Sequence, residues 1–230
     1  MRILALETST EWCGVAAGDG ARWLAREERT GPAHSERALA LVDAVLAEAG
    51  WPLAALDGIA FGAGPGSFTG VRVACALAQG LALGADLPVV PVPTLSALAH
   101  AAWAGSGAQR IVACLDARMR EVYVAAYARS ESGWREIEAP RVLAPVSIAG
   151  PEGSDWVGAG NGFAAYPGLG RQLGLARVDD AARPTAQAVG ELALPRLAAG
   201  EGVAAADALP LYVRHRVALT TAERAAGARL

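Results

Sequence analysis

The chain has 230 residues, of which 53% are hydrophobic and 19% charged, so a disordered chain is excluded and a folded protein of one large or two small domains is expected. The formal net charge is −3 with acids and bases interspersed, which argues against a protein that grips nucleic acid by itself. The first apolar stretch is too short for a signal peptide, and Gln79 and Gly80 interrupt the longest one. A cytoplasmic protein without a membrane segment is therefore predicted.

The first half of the chain reads as a three-strand meander followed by alternating helices and strands. Short apolar runs predict strands at residues 3–6, 12–18, 22–28, 56–62 and 89–92. Helical periodicity and capping signals predict helices at residues 35–49, 69–83 and 96–103. Gly50 and Pro52 end the first of these helices, and the Gly-Ser-Gly at 105–107 is the best candidate for a linker.

The second half repeats this order. Residues 111–116 form another apolar strand that ends in an acid, as residues 3–7 do, and hairpin strands follow at 121–129 and 133–142. The glycine-rich run at 157–162 echoes the run at 61–66, and a helix at 185–199, interrupted near Pro195, follows. The repeat indicates a duplicated α/β fold with lobes at 1–106 and 107–230. It resembles the actin-like, Hsp70 and sugar-kinase (ASKHA) architecture, in which two lobes face each other across a cleft. The tail from Leu211 is a final strand or an extended arm.

The glycine-rich segment at residues 62–70 has two interpretations. Glycines permit positive φ and close backbone approach, and a helix N-terminus favours anions, so the segment suits a phosphate-binding loop. It lacks the Lys of a P-loop and the spacing of a dinucleotide fingerprint. A structural turn with a Ser or Thr N-cap is the alternative.

Acids and hydroxyls at the ends of the two first strands are candidates for a cleft site. In the actin-like fold these acids face the cleft and are usually Asp, whereas the first lobe here has Glu7, whose carboxylate is displaced by one methylene. A vestigial nucleotide cleft is expected, lined by Glu7, Thr8, Ser9, Asp116, Gly158 and Gly160.

Cysteines and histidines carry no metal or catalytic pattern. The cysteines are distant from one another in apolar runs, which predicts buried reduced thiols at Cys13, Cys75 and Cys114. None of His34, His100 and His215 has a partner at i+4, so no helix presents a histidine pair to a metal. No GxSxG elbow is present either.

Two long helices carry more apolar surface than a single core contact needs. The helix at 35–49 has two adjacent apolar stripes, and the helix at 69–83 has small residues at every fourth position, a ridge that permits close helix approach. Either both helices are buried inside the lobe, or they present a face to a partner. The partner surface is expected at Ala38, Leu41, Val45, Gly70, Val71, Ala74, Ala78 and Ala82.

Together these residues are similar to the TsaB (YeaZ) family. The strongest element is the stretch Gly-Pro-Gly-Ser-Phe-Thr-Gly-Val-Arg at 64–72. Supporting elements are residues 4–10, 34–36, 116–118, 121–123 and 210–214. The family motif has Asp-Thr-Ser at its start, so Glu7 is a departure.

The resemblance implies a non-catalytic subunit of the machinery that forms N6-threonylcarbamoyladenosine beside the tRNA anticodon. It implies that the chain binds and stabilises a TsaD-like catalytic subunit through a four-helix contact, works with a TsaE-like ATPase, can form homodimers when alone, and meets tRNA only through the complex. The complex would use ATP, while no cofactor is expected in this chain. Two rivals stay open: an active kinase or ATPase of the same fold, and a metallopeptidase.

Overall fold

The computed structural model describes residues 1–30, 33–131 and 133–214. The first predicted meander is present, and two parallel strands extend it on the other side of β1, giving the strand order β3-β2-β1-β4-β5. The strands of this sheet are β1 (Ile3–Glu7), β2 (Trp12–Gly18), β3 (Trp23–Arg29), β4 (Gly58–Gly62) and β5 (Val89–Val92).

The second sheet repeats the first in order and direction. Its order is β10-β9-β6-β7-β8, with β6, β7 and β8 antiparallel and β9 and β10 parallel to β6. Its strands are β6 (Arg110–Asp116), β7 (Val122–Ser130), β8 (Gly133–Leu143), β9 (Val157–Ala159) and β10 (Arg177–Asp179). The matching topologies confirm the predicted duplicated α/β fold with two actin-like lobes.

The helices make layers around and between these sheets. The described helices are α1 (His34–Ala49), α2 (Phe68–Ala85), α3 (Thr94–Ser106), α4 (Gly162–Ala165), α5 (Leu169–Gln172) and α6 (Ala186–Ala198). α1 and α2 cover the outer face of the first sheet, α3 and α6 lie between the sheets, and α4 and α5 lie outside the second sheet. α6 continues through Pro195, so the predicted interruption of this helix is wrong.

Strand alternation distributes the core over these layers. In β1, Leu4 and Leu6 pack towards α1 and α2, while Ile3 and Ala5 pack towards α6. In β6, Leu115 packs against α3, and Cys114 packs with α4 and α5. The sheets are therefore covered on both faces, as expected for strands that read as continuous apolar runs.

The two central helices cross the predicted boundary between lobes. α3 belongs to the first half of the sequence but packs on β6 and β7, and α6 belongs to the second half but packs on β1, β2, β4 and β5. The two helices also contact each other. The division at residues 106 and 107 falls in the short link between α3 and β6, and as a domain boundary it stays a prediction.

The small-residue ridge faces inward, so the expectation that it forms an exposed partner surface is wrong. Val71, Ala74 and Ala78 are at most 4% exposed, because small side chains let α2 lie close to the sheet beneath it. The same inward position holds for all eight residues expected at the partner surface: Ala38, Leu41, Val45, Gly70, Val71, Ala74, Ala78 and Ala82.

Candidate functional site

A cavity of about 840 Å³ lies between the lobes. Its first wall is the turn after β1 at residues 9–11 together with residues 65–69 and 71 around the start of α2. Its second wall is residues 115–118 at the end of β6, with Tyr123 and Asn161. The last described segment, 211–214, also lines it.

The glycine-rich segment packs directly against the turn after β1. The Thr8 hydroxyl donates to the Gly70 carbonyl at 2.6 Å, and the Ser67 amide donates to the Ser9 carbonyl at 2.7 Å. A Cβ at Gly70 would lie 1.9 Å from the Thr8 carbonyl oxygen, and one at Gly66 would lie 2.5 Å from that of Ser9. The Ser67 hydroxyl accepts from the Gly70 amide at the start of α2. The predicted turn with a serine N-cap is therefore confirmed, and close backbone approach requires its glycines.

Glu7 turns away from the cavity. Its Oε1 accepts from the Ser9 amide at 2.6 Å, and its Oε2 lies where a Cβ of Gly62 would be, without a hydrogen-bond partner among the described residues. Burial raises the pKa of this carboxyl to about 7, although the hydrogen bonds from Ser9 act in the other direction. Glu7 and Thr8 are buried behind the cavity wall, while Ser9 reaches the wall itself.

The second lobe places Asp116 on the cavity wall but leaves the predicted glycines out. The Asp116 carboxylate accepts from the Arg118 amide at 2.9 Å and pairs with its guanidinium at 3.2 Å. Gly158 pairs with Val112 in the middle of the sheet, and Gly160 lies against the Cys114 carbonyl, so the prediction that these glycines line the cleft is wrong. The residue that lines it is Asn161, whose side-chain oxygen accepts from the Asp116 amide at 3.0 Å.

His34 ties the start of α1 to the turn after β1. Its Nε2 lies 2.9 Å from the Thr10 carbonyl, and its Nδ1 lies 3.0 Å from the Thr30 hydroxyl. A carbonyl only accepts, so Nε2 carries the proton. Burial lowers the pKa of His34, which favours this neutral form. His34 therefore has a structural role at the cavity edge.

His100 is also held by partners inside the protein. The Trp134 indole donates to its Nδ1 at 3.0 Å, and its Nε2 lies 2.8 Å from the Glu191 carboxylate. Within residues 1–30, 33–131 and 133–214, no group of three His, Cys, Asp or Glu side chains is arranged to hold a metal ion. His215 lies outside the described residues. The three cysteines are buried and free, as predicted.

Sequence reasoning missed the contacts of the segment at 211–214. The Arg72 Nε donates to the Tyr212 hydroxyl at 2.9 Å, and the Arg72 guanidinium carbon lies 3.5 Å from the centre of the Phe68 ring. Arg214 donates to the Ala117 carbonyl at 3.1 Å and to the Glu121 carboxylate at 2.5 Å. Two conspicuous arginines in otherwise apolar surroundings were the available signal, but the pairing of residues about 140 and 93 apart in the chain has no local signature.

The outer face of α2 is apolar and uncovered. The helix is long and apolar enough to cross a membrane by length and composition, and only 33% of it is buried. The buried part is the ridge on the first sheet, Leu77 and Leu81 are partly buried against the same core, and Leu83 on the outer face is 79% exposed. Phe68 on α2 and Leu39 on α1 are each 48% exposed. An exposed apolar face of this kind is typical of a binding surface.

Comparison with known proteins places the chain in a family. The sequence model described as TsaD, tRNA N6-adenosine threonylcarbamoyltransferase, matches residues 28–221. The tRNA threonylcarbamoyladenosine biosynthesis protein TsaB of Escherichia coli is 41% identical over 95% of this chain and 96% of its own length. The chain belongs to the TsaB (YeaZ) family. TsaB of Haemophilus influenzae is 40% identical over 94% of this chain and 95% of its own length.

A solved relative shares the fold of this TsaB-family chain. YeaZ from Pseudomonas aeruginosa superimposes with a TM-score of 0.86 at 41% identity, covering 92% of this chain and 99% of that structure. The carboxylates at the two strand ends both accept from main-chain amides, Glu7 from Ser9 behind the cavity wall and Asp116 from Arg118 on the wall.

Proposed function

We propose that this chain is a non-catalytic, cytoplasmic subunit of the machinery that forms N6-threonylcarbamoyladenosine in tRNA, and that it binds and stabilises a TsaD-like catalytic subunit. The names of the TsaB relatives support the pathway. The match to the TsaD family supports a partner of related fold. A TsaE-like ATPase would join the two, and the complex would use ATP.

The observation that carries the proposal is the uncovered apolar face of α2. Leu83, Phe68 and Leu39 point outward on the helix pair, whereas the opposite faces of the same helices form the core of the lobe. Arg72 is exposed in the first half of α2, and the exposed positions Ala76, Gly80 and Gly84 farther along are small, so a second pair of helices can approach closely there. Burying apolar surface contributes about 25 cal/mol per Å² before the entropic cost of association is subtracted. The predicted helices are retained in the proposal, but their contacting faces are the reverse of those expected from sequence.

The test is co-purification with the TsaD homologue of the same cell. Leu83→Glu places a charge in the proposed contact, near the end of α2, where it would be desolvated and unpaired, so capture of the homologue should fall at least about tenfold. Val146→Glu is the matched control, since Val146 is 85% exposed in the second lobe. Circular dichroism should show both variants folded.

Normal capture by folded Leu83→Glu would remove this face from the proposal, as would equal loss with Val146→Glu. Size-exclusion chromatography of the free chain distinguishes a second use of the same face. A homodimer that Leu83→Glu dissociates would mean that self-association competes with the catalytic partner. Binding of the free chain to lipid vesicles, abolished by the same change, would instead favour a membrane surface.

An active nucleotide-binding kinase or ATPase is the competing function, favoured by the cavity between the lobes. We expect the isolated chain to bind ATP and magnesium weakly, because Glu7 is folded back on Ser9 and Gly62. Calorimetry showing micromolar binding would overturn the non-catalytic assignment. Contact with tRNA is proposed to need the complex, given the net charge of −3, and a gel shift with the chain alone at physiological salt tests this.

A further inference from the structure

A short segment at the end of the described chain, residues 209–214, crosses the cavity mouth; we call it the strap. Just before it, the Ala208 carbonyl is buried and accepts from the Gln79 side chain of α2 at 2.9 Å. Within it, the Leu211 amide donates to the Ala63 carbonyl at 2.7 Å, and Tyr212 accepts from Arg72. These bonds attach the strap to the first lobe.

The far end of the strap is attached to the second lobe. Arg214 donates to the Ala117 carbonyl and the Glu121 carboxylate, and its guanidinium carbon lies 5.7 Å from the centre of the Tyr123 ring. Ala117 and Glu121 flank the turn between β6 and β7. The strap thus joins the glycine-rich segment of one lobe to the β6–β7 turn of the other.

The turn that receives Arg214 has an unfavourable backbone. Arg118, Met119 and Arg120 have φ values of 60°, 53° and 62°, three successive non-glycine residues in the left-handed region. Each such residue costs on the order of 1 kcal/mol or more and persists only when neighbouring contacts hold it. Arg214 supplies one such contact from outside the turn, through the Ala117 carbonyl.

Little apolar burial holds the strap in place. Leu209 is 66%, Leu211 40% and Tyr212 50% exposed, while Val213 is half-buried against the core beside α3, so the strap is retained by this apolar contact together with the hydrogen bonds at its two ends. Segments with few buried apolar contacts open with free energies well below that of global unfolding. By contrast, Ala208 immediately before the strap is fully buried and packs in the first lobe.

We propose that residues 209–214 are a releasable strap that closes the cavity between the lobes, held at its second-lobe end by Arg214. On release, Arg214 leaves Ala117 and Glu121, and the strap no longer links the two lobes. Molecules then enter the cavity while both lobes stay folded. This inference does not depend on the identity of the partner, and it is testable on the isolated chain.

Thiol labelling of a cavity residue tests the strap. Leu115 lines the cavity and is 3% exposed, so Leu115→Cys places a protected thiol there. Cys114 faces the opposite core of the same strand and reports global unfolding. In the Leu115→Cys background, Arg214→Ala should raise the rate of maleimide labelling at position 115 about ten- to hundredfold, the range expected for losing hydrogen bonds to charged groups. Labelling at Cys114, read separately by mass spectrometry, should not change.

Arg37→Ala is the matched control, because Arg37 makes a bidentate pair with Glu28 and neither residue lines the cavity. It should leave labelling at position 115 unchanged. An unchanged labelling rate at position 115 in Arg214→Ala would overturn the proposal. An equal rise in labelling at positions 114 and 115 would also overturn it, as would rapid labelling at position 115 when Arg214 is intact. Hydrogen exchange of the Leu211 amide, measured without Leu115→Cys, gives a second readout: Arg214→Ala should speed it about tenfold, and unchanged exchange counts against the strap.

Discussion

The two lobes share one strand order but differ in their outer layers. The first sheet is covered by α1 and α2, of 16 and 18 residues, and the second by α4 and α5, of 4 residues each. In the second lobe, bulky side chains such as Trp156 and the α4 residue Phe163 pack on the sheet. In the first lobe, small side chains bring α2 close to the sheet, and Leu83 and Phe68 point outward.

This difference shows that two lobes with the same strand order can present different outer surfaces. The two sheets and the helices between them are shared by both lobes, and among the described residues the long apolar face lies on the outer layer of the first lobe. The same contrast appears at the two strand ends: Glu7 is buried behind the cavity wall, whereas Asp116 lies on it. Both differences between the lobes, in the outer helices and at the strand ends, can be tested by substitution.

The largest expected effect is at the inner face of α2. Ala78→Arg places a charge where the parent side chain is fully buried between helix and sheet, so the free energy of unfolding should fall by about 3–5 kcal/mol. Leu83→Arg, on the outer face of the same helix, should change it by less than about 0.5 kcal/mol. Urea denaturation followed by circular dichroism measures both.

Similar stability of these two variants would contradict the assigned orientation of α2. Val146→Arg on the second lobe provides a baseline for an exposed apolar residue replaced by a charge. If Leu83→Arg proved as destabilising as Ala78→Arg, α2 would be buried on both faces and the contrast between the outer layers would disappear.

The next effect concerns Glu7 and depends on pH. Burial raises its pKa from 4.5 to about 7, so the folded state favours the neutral acid and loses stability as pH rises between these values. Above pH 7 the loss should reach about 3 kcal/mol, and Glu7→Gln, which mimics the neutral acid, should remove it. Urea denaturation at pH 4, 6 and 8 should show the two proteins diverging with pH. Parallel profiles would show that Glu7 is not buried as an isolated carboxyl.

The smallest effect compares two glycines of α2. Gly70→Ala brings a Cβ to 1.9 Å from the Thr8 carbonyl oxygen, and the forced shift should cost about 1–3 kcal/mol. Gly80→Ala meets no atom within 4 Å and should stabilise the helix by about 0.5–1 kcal/mol. Thermal unfolding of both variants is the measurement. A lower melting temperature for Gly70→Ala and a higher one for Gly80→Ala would support the close packing of the turn after β1 against α2. A higher melting temperature for Gly70→Ala would contradict it.

Local signals were sufficient for much of the fold. Apolar runs that end in Glu7 and Asp116 located the first strand of each lobe, and Gly50 located the end of α1. They placed Gly158 wrongly on the cleft, because a repeated glycine pattern does not indicate which strand residues pair with each other. In the structure Gly158 pairs with Val112 inside the sheet. They did not find Arg214, because its partners lie across the cavity.

The amino-acid sequence by itself determined the duplicated order of elements, the family and the pair of apolar helices, since these depend on periodicity, capping and short motifs. Only the tertiary structure decided which face of α2 is buried, that α3 and α6 exchange sheets, and that residues 209–214 bridge the lobes. When both faces of a helix are apolar, the helix sequence alone does not indicate which face is buried. The choice follows from packing: Ala74, Ala78 and Ala82 allow the backbone to lie closer to the sheet than Leu83 would, and Leu83 is left in solvent.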